Sequence, residues 1–199
     1  MRKFLIGASA AAIIAVATGC GGSNDTPGMN HNQDTTSTSP GSAGQTEHNE
    51  QDIAFAQAMI PHHQQAVDMA KMAGERATDP KVKDLATRIE GAQAPEIRQL
   101  TEMLDRWGAP TEPSMPGMDH GGMAGPGMMT DAEMQQLEHA SGADFDRLWV
   151  QMMIKHHQGA VDMAKTELAK GGNAEAKALA QQIIDAQEAE ISEMQAMLA

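Results

Sequence analysis

Two adjacent histidines occur twice in this chain within the same string, HHQxAVDMAK, as His62 to Lys71 and as His156 to Lys165, each time just after a Met-Ile pair. At 3.6 residues per helical turn, Met59 and His63 lie one turn apart on a single face with His62 on its flank. Met153, His157 and His156 repeat that arrangement. A thioether beside an imidazole suits copper, above all Cu(I), because soft sulfur and ring nitrogen hold a monovalent ion without a thiolate; Ag(I) is expected to follow. Met69 and Met163 stand two turns beyond His62 and His156, about 10 Å along the axis. They would serve a second site, with core filling as their competing use. Asp68 and Asp162, or Asp52 and Asp146, are candidates to orient imidazole N–H groups from behind, and helical phase places Asp52 nearer the apolar stripe than Asp68. Gln93, Glu96, Gln187 and Glu190 also repeat. They either hydrogen-bond across the fold, the reading preferred here, or remain solvated.

A second group of soft ligands lies outside any helical pattern. Met115, Met118, Met123, Met128 and Met129 sit among Gly and Pro with Asp119 and His120 between them. Such a segment cannot pack a core, whereas flexible Met and His side chains can gather around a soft ion. The run MDHGGM, Met118 to Met123, resembles the Met/His-rich stretches of bacterial copper-resistance proteins; a spacer that binds nothing is the other reading. Met29, His31 and His48 extend the same residue types toward the N-terminus.

The composition narrows the function classes. With 27 acidic against 14 basic residues there is no basic stripe to neutralise phosphates, so nucleic-acid binding is excluded as an expectation, while cations are tolerated. Aromatics make up 3% of the chain and methionine reaches 17 residues, so thioethers replace rings as apolar filler. Arg2 and Lys3 followed by the apolar run Phe4 to Ala17 read as an export signal, too short for a membrane span. Ala17-Thr18-Gly19-Cys20 resembles a bacterial lipoprotein signal, which makes residues 1–19 the signal peptide and Cys20 the lipidated N-terminus, anchored in the cell membrane or envelope. Cys20 is the single cysteine, so neither a disulfide nor a thiolate cluster is available. Residues 20–49, poor in large apolar side chains, read as a disordered tether.

What must position the histidines is a duplication. A shift of 94 residues lays Asp52–Asp105 on Asp146–Ala199 without a gap, with roughly two positions in five identical. Each copy carries two amphipathic helical patterns: about Gln51 to Ala77 and Asp79 to Trp107 in the first, with the same plan in the second. Asp79-Pro80, the Thr130/Glu133 spacing and Asn173 read as helix starts, and Gly108 and Gly171-Gly172 as stops. The domain 50–199 is therefore expected to hold repeat 1 at about 51–107, a Met/His/Gly-rich linker at about 108–129 and repeat 2 at about 130–199. Two hairpins with one apolar face each bury those faces together, which predicts an all-α four-helix bundle made from a duplicated helical hairpin. The linker is long enough, at roughly 3.3 Å per residue, for either an up-down order or a ferritin-like crossover. Pro61, inside the first helix, frees the carbonyl of Gln57 beside the motif; Lys155 replaces it in the second copy.

The duplicated F/W-x3-M-I-x-H-H-x2-A-V-D-M-A-K pattern, followed by I-x2-A-Q-x2-E-I, resembles the bacterial secreted family catalogued as domain of unknown function 305, from about Gln51 to the C-terminus. The resemblance implies a ferritin-like helical bundle and an association with copper binding or resistance outside the cytoplasm. The family motif falls here on Met59, His62, His63, Asp68 and Met69 and on Met153, His156, His157, Asp162 and Met163. The expected activity is capture of copper for tolerance or trafficking rather than catalysis, with the metal ion as partner and a copper-exchange protein left unidentified. Two competing functions remain: a ferritin-like di-metal oxidase, which would need Glu-x-x-His motifs that the sequence lacks, and an envelope interaction module without metal.

Overall fold

The computed structural model describes residues 47–112 and 125–199. They form α1 (Glu50–Arg76), α2 (Pro80–Trp107), α3 (Asp131–His139), α4 (Gly142–Lys170) and α5 (Ala174–Leu198), with no strand among them. The local signals act where the sequence places them. Asn49 and Thr130 close capping boxes on α1 and α3, Asp79 accepts from Lys81 ahead of Pro80, and Asn173 accepts from Glu175 and Ala176. Gly108 ends α2 at φ 67, a left-handed conformation that disfavours any side chain. Pro61 lies within α1, which runs on without interruption.

The four long helices form the all-α bundle expected from the two amphipathic hairpins. α1 packs along α2 and α4 along α5, and the hairpins meet chiefly through α1 and α4. The core divides into two apolar clusters. One joins the C-terminal half of α1 (Ala66, Met69, Ala73) to the N-terminal half of α4 (Phe145, Trp149, Met153). The other joins the N-terminal half of α1 (Phe55, Met59) to the C-terminal half of α4 (Ala160, Ala164) and the start of α5 (Leu179, Ile183). α1 and α4 are therefore antiparallel, and the chain must travel the length of the bundle between the end of α2 and the start of α4. The topology left open by linker length is the single long crossover typical of ferritin-like folds.

Equivalent residues of the two copies meet across a pseudo-twofold axis. Asp52 near the start of α1 accepts from the amides of Gly172 and Asn173 before α5, at 2.9 to 3.1 Å. Asp146 near the start of α4 accepts from the amides of Thr78 and Asp79, and from the Thr78 hydroxyl. Each aspartate thus ties its own hairpin to the corner of the other. The corners differ: Gly172 stands where the first copy has Thr78, so Asp52 receives no hydroxyl. Glu167, in the place of Ala73, fills that corner with a fully buried carboxyl beside Asp52. Burial first, and then the neighbouring Asp52, push Glu167 up to about 8. Burial alone would also raise Asp52, but hydrogen bonds from Glu167 and from the amides of Asn173, Asn49 and Gly172 outweigh it and hold that carboxylate below its ordinary value. Glu167 is the neutral acid of the pair and takes over the role of the missing hydroxyl.

This corner predicts a pH dependence. The folded pKa of Glu167 exceeds its unfolded value of 4.5, so the stabilisation is complete below that value and is lost progressively as pH rises toward 8. Between pH 5 and pH 8 denaturant unfolding should show the parent protein losing stability on the order of a few kcal/mol relative to Glu167→Gln. Glu167→Gln, which keeps a neutral donor, should remove that component; equal slopes in the two proteins would contradict the assignment.

Candidate metal centre

The midpoints of α1 and α4 carry the histidine pairs, so an antiparallel contact brings each motif to its own copy at the axis. The rings of His62 and His156 approach to 3.7 Å between centroids with a tilt of 38°. Both are buried, at 1% and 0% exposure. His63 and His157 lie on either side, each 6.3 Å from its neighbour's ring. α2 and α5 complete the layer: His63 Nε2 donates to Glu96 at 2.8 Å and His157 Nε2 to Glu190 at 2.8 Å. Buried Gln93 and Gln187 lie one helical turn before these glutamates. A polar layer therefore separates the two apolar clusters.

The hydrogen bonds decide which ring nitrogens remain available. Carboxylate and carbonyl oxygens only accept, so Glu96, Glu190 and the carbonyl of Pro126, 3.1 Å from His62 Nε2, place the proton of a neutral ring on Nε2. The Nδ1 lone pairs of His62, His63 and His157 are then free, and none has a partner among the described residues. His156 has a partner at neither nitrogen. Burial first, then the charge that His63 would carry, lowers the His62 pKa to about 3, against the opposing pull of the Pro126 carbonyl. Burial and then His62 hold His156 well below its ordinary value. Both rings are neutral at neutral pH, which is the form that binds metal.

The family model for Domain of unknown function (DUF305) matches residues 52–198. The chain belongs to this family. Among solved DUF305 structures, a Streptomyces coelicolor protein described as secreted is 38% identical, with 72% of this chain and 89% of that one covered at a TM-score of 0.66. A Deinococcus radiodurans fragment is 34% identical, with 75% and 96% covered at 0.67. CopM in its Cu(II)-bound form is 36% identical, with 73% and 94% covered at 0.63, and CopM is also known in Cu(I)-bound and silver-bound forms. An uncharacterised protein of Acanthamoeba polyphaga mimivirus is 41% identical over 54 residues, which span 36% of its length.

Within this DUF305 domain the other expected site residues disperse. Met59 and Met153 are both fully buried, but they lie in opposite apolar clusters because α1 and α4 run in opposite directions. Met69 is buried in one cluster, and Met163 is half-buried against the other. None of the four aspartates meets a histidine. Asp52 and Asp146 bind the corners, whereas Asp68 and Asp162 are exposed beside Gln64 and Gln158. The acceptors behind the imidazoles are Glu96 and Glu190 instead. Met128 and Met129 lie at the end of the crossover, while Cys20, Met29, His31, Met115, Met118, His120 and Met123 fall outside the described residues. His48 stacks on Trp107, away from the layer, with centroids 5.1 Å apart. Among the described residues, no three His, Cys, Asp or Glu side chains converge as a ready-made cage.

Buried polar atoms without partners cost about 1–3 kcal/mol each, so the layer destabilises the metal-free bundle relative to an apolar one. His156→Leu should accordingly raise the thermal midpoint of the metal-free protein by a few degrees, corresponding to about 1 kcal/mol or more. A lowered midpoint in differential scanning calorimetry would show that the ring contributes packing that outweighs its unspent nitrogens.

Proposed function

We propose that this chain is an exported, lipid-anchored protein that captures Cu(I) outside the cytoplasm through histidine and methionine side chains, for copper tolerance or trafficking. The observation that carries the proposal is the His62–His156 pair, buried, neutral and with ring nitrogens unspent at the seam of a duplicated domain. Its family context supports the metal: CopM, more than a third identical in its Cu(II)-bound form, is known with Cu(I), Cu(II) and silver bound. Two imidazoles suffice for a soft monovalent ion, whereas a divalent ion asks for more ligands than converge here. Glu96 and Glu190 fix the tautomer and ring orientation of His63 and His157, the usual role of a carboxylate behind a metal-binding imidazole. The methionines of the linker, Met115, Met118, Met123 and Met128, together with His120, would collect the ion, whereas Met129 is buried in the first apolar cluster. Export under the signal of residues 1–19 and attachment at Cys20 would put this activity at the cell membrane or envelope, in keeping with a Streptomyces relative described as secreted. Net charge −13 favours cation approach.

One observation favours a second reading. Glu96 and Glu190 bring a carboxylate from each hairpin to the histidine layer, as a di-metal oxidase requires. Their oxygens, however, already accept imidazole N–H groups. Oxygen consumption on adding Fe(II) would support the oxidase, and its absence the capture role.

Anaerobic titration of the mature protein with Cu(I) against a competing chelator tests the main proposal. Alanine at His62, His63, His156 and His157 together should weaken binding by at least about a hundredfold, as expected for removal of metal ligands or their supports. Unchanged affinity would move the site elsewhere.

A further inference from the structure

The described end of the crossover, residues 125–129, does not pass the histidine layer at a distance; it lies against His62 and α4. The Pro126 carbonyl contacts His62 Nε2 at 3.1 Å. Three residues on, the Met129 amide donates to Gln65 at 2.7 Å and the Met129 carbonyl accepts from the same side chain at 2.9 Å. Between these points the strand lies directly on α4. A Cβ at Gly159 would stand 2.0 Å from the Pro126 carbonyl oxygen, and a Cβ at Gly127, where φ is 77, would stand 2.6 Å from the Lys155 carbonyl oxygen. Gln65 and Gly159 occupy the same position of the two copies. One has become a clamp for the strand, and the other a bare surface that admits it.

The contacts of the strand are separable from those of the bundle. Downstream, α3 is fixed independently by fully buried Leu137, by the Thr130–Glu133 capping box and by Lys155 on Glu133 at 2.7 Å. From Gly125 to Met129 the polar ties to the helices are those of His62 and Gln65. Both seam rings are sealed from solvent, so an ion can reach them only if something moves. Three hydrogen bonds, to the side chains of His62 and Gln65, tie this segment to the helices, and Met129 at its end is buried in the first apolar cluster.

We propose that residues 125–129 act as a strap that controls entry to and exit from the His62–His156 seam, rising to load or release a soft monovalent ion. The proposal rests on the copper reading above for the identity of the ion. The strap also makes the two histidines unequal: His62 gives its Nε2–H to the strap, while His156 keeps both nitrogens unspent. An incoming ion would therefore meet His156 first and engage His62 as the strap adjusts.

Two variants loosen the strap without touching a histidine: Gly159→Ala, by the clash with Pro126, and Gln65→Ala, by loss of both bonds to Met129. Circular dichroism should confirm unchanged helix content. Diethyl pyrocarbonate modification, mapped by mass spectrometry without metal, should then be faster by about tenfold at His62 and His156, the effect expected from losing two ordinary hydrogen bonds. Stopped-flow uptake of Ag(I) should accelerate by a similar factor at unchanged stoichiometry. Modification as slow as in the parent protein would overturn the strap as the cover. Faster modification with unchanged silver uptake would overturn it as the gate and point to entry beside Glu96 or Glu190. Faster modification in a protein that binds no silver would sink the copper reading, and with it the role in loading, while leaving the strap as the cover of the seam.

Discussion

The contact of His62 with His156 is the constraint around which the bundle is arranged. Two helices that cross antiparallel at their midpoints place equivalent residues of a duplicated sequence against each other, and here those residues are polar. An apolar pair would have let one continuous core run the length of the domain. Instead the core splits into two clusters, and the layer between them holds more ring nitrogens and amide atoms than it has partners for. Such a layer is costly in a protein that only needs to fold. It is reasonable in one whose missing partner is a soft cation, because the desolvation that leaves both imidazoles neutral also leaves their lone pairs free of protons.

Divergence between the copies is informative because the symmetry provides an internal control. At the corners, Thr78 and Gly172 are equivalent, and the hydroxyl lost at Gly172 is replaced by the protonated carboxyl of Glu167. At the seam, Gln65 and Gly159 are equivalent, and both differences serve the crossover. The half-bundles need not diverge to pack on each other. At the seam they diverge where a single connecting segment lies across a symmetric object and so can satisfy only one side of it.

Much of the fold was legible because its signals are local. Caps at Asn173 and Thr130, the Asp79-Pro80 start and the Gly108 stop depend on neighbours within a turn, and they set helix ends to within a residue or two. The crossover was not legible, since the linker is long enough for either order. That ambiguity carried into the site. Pairing Met59 with His63 on one face is a statement about one helix; that Met59 and Met153 lie in opposite clusters follows from the antiparallel packing of α1 and α4. Helical phase puts Asp52 on the inward face, yet two of its amide partners, Gly172 and Asn173, lie 120 or more residues away. Glu96 and Glu190 were visible as repeated residues; that they stand behind His63 and His157 depends on the pairing of each hairpin, which residue type alone does not reveal. The strap had the weakest signal, a lone Gly159 inside an otherwise duplicated motif.

Silver-loaded crystals provide the most direct measurement, because anomalous scattering locates the ion without reference to any variant. An ion coordinated by a ring nitrogen of His62 and of His156, the two rings moved off their 3.7 Å stack to admit it, is the predicted result. Silver confined to exposed methionines or acidic side chains, with the two rings still stacked and unliganded, would contradict the account at its centre.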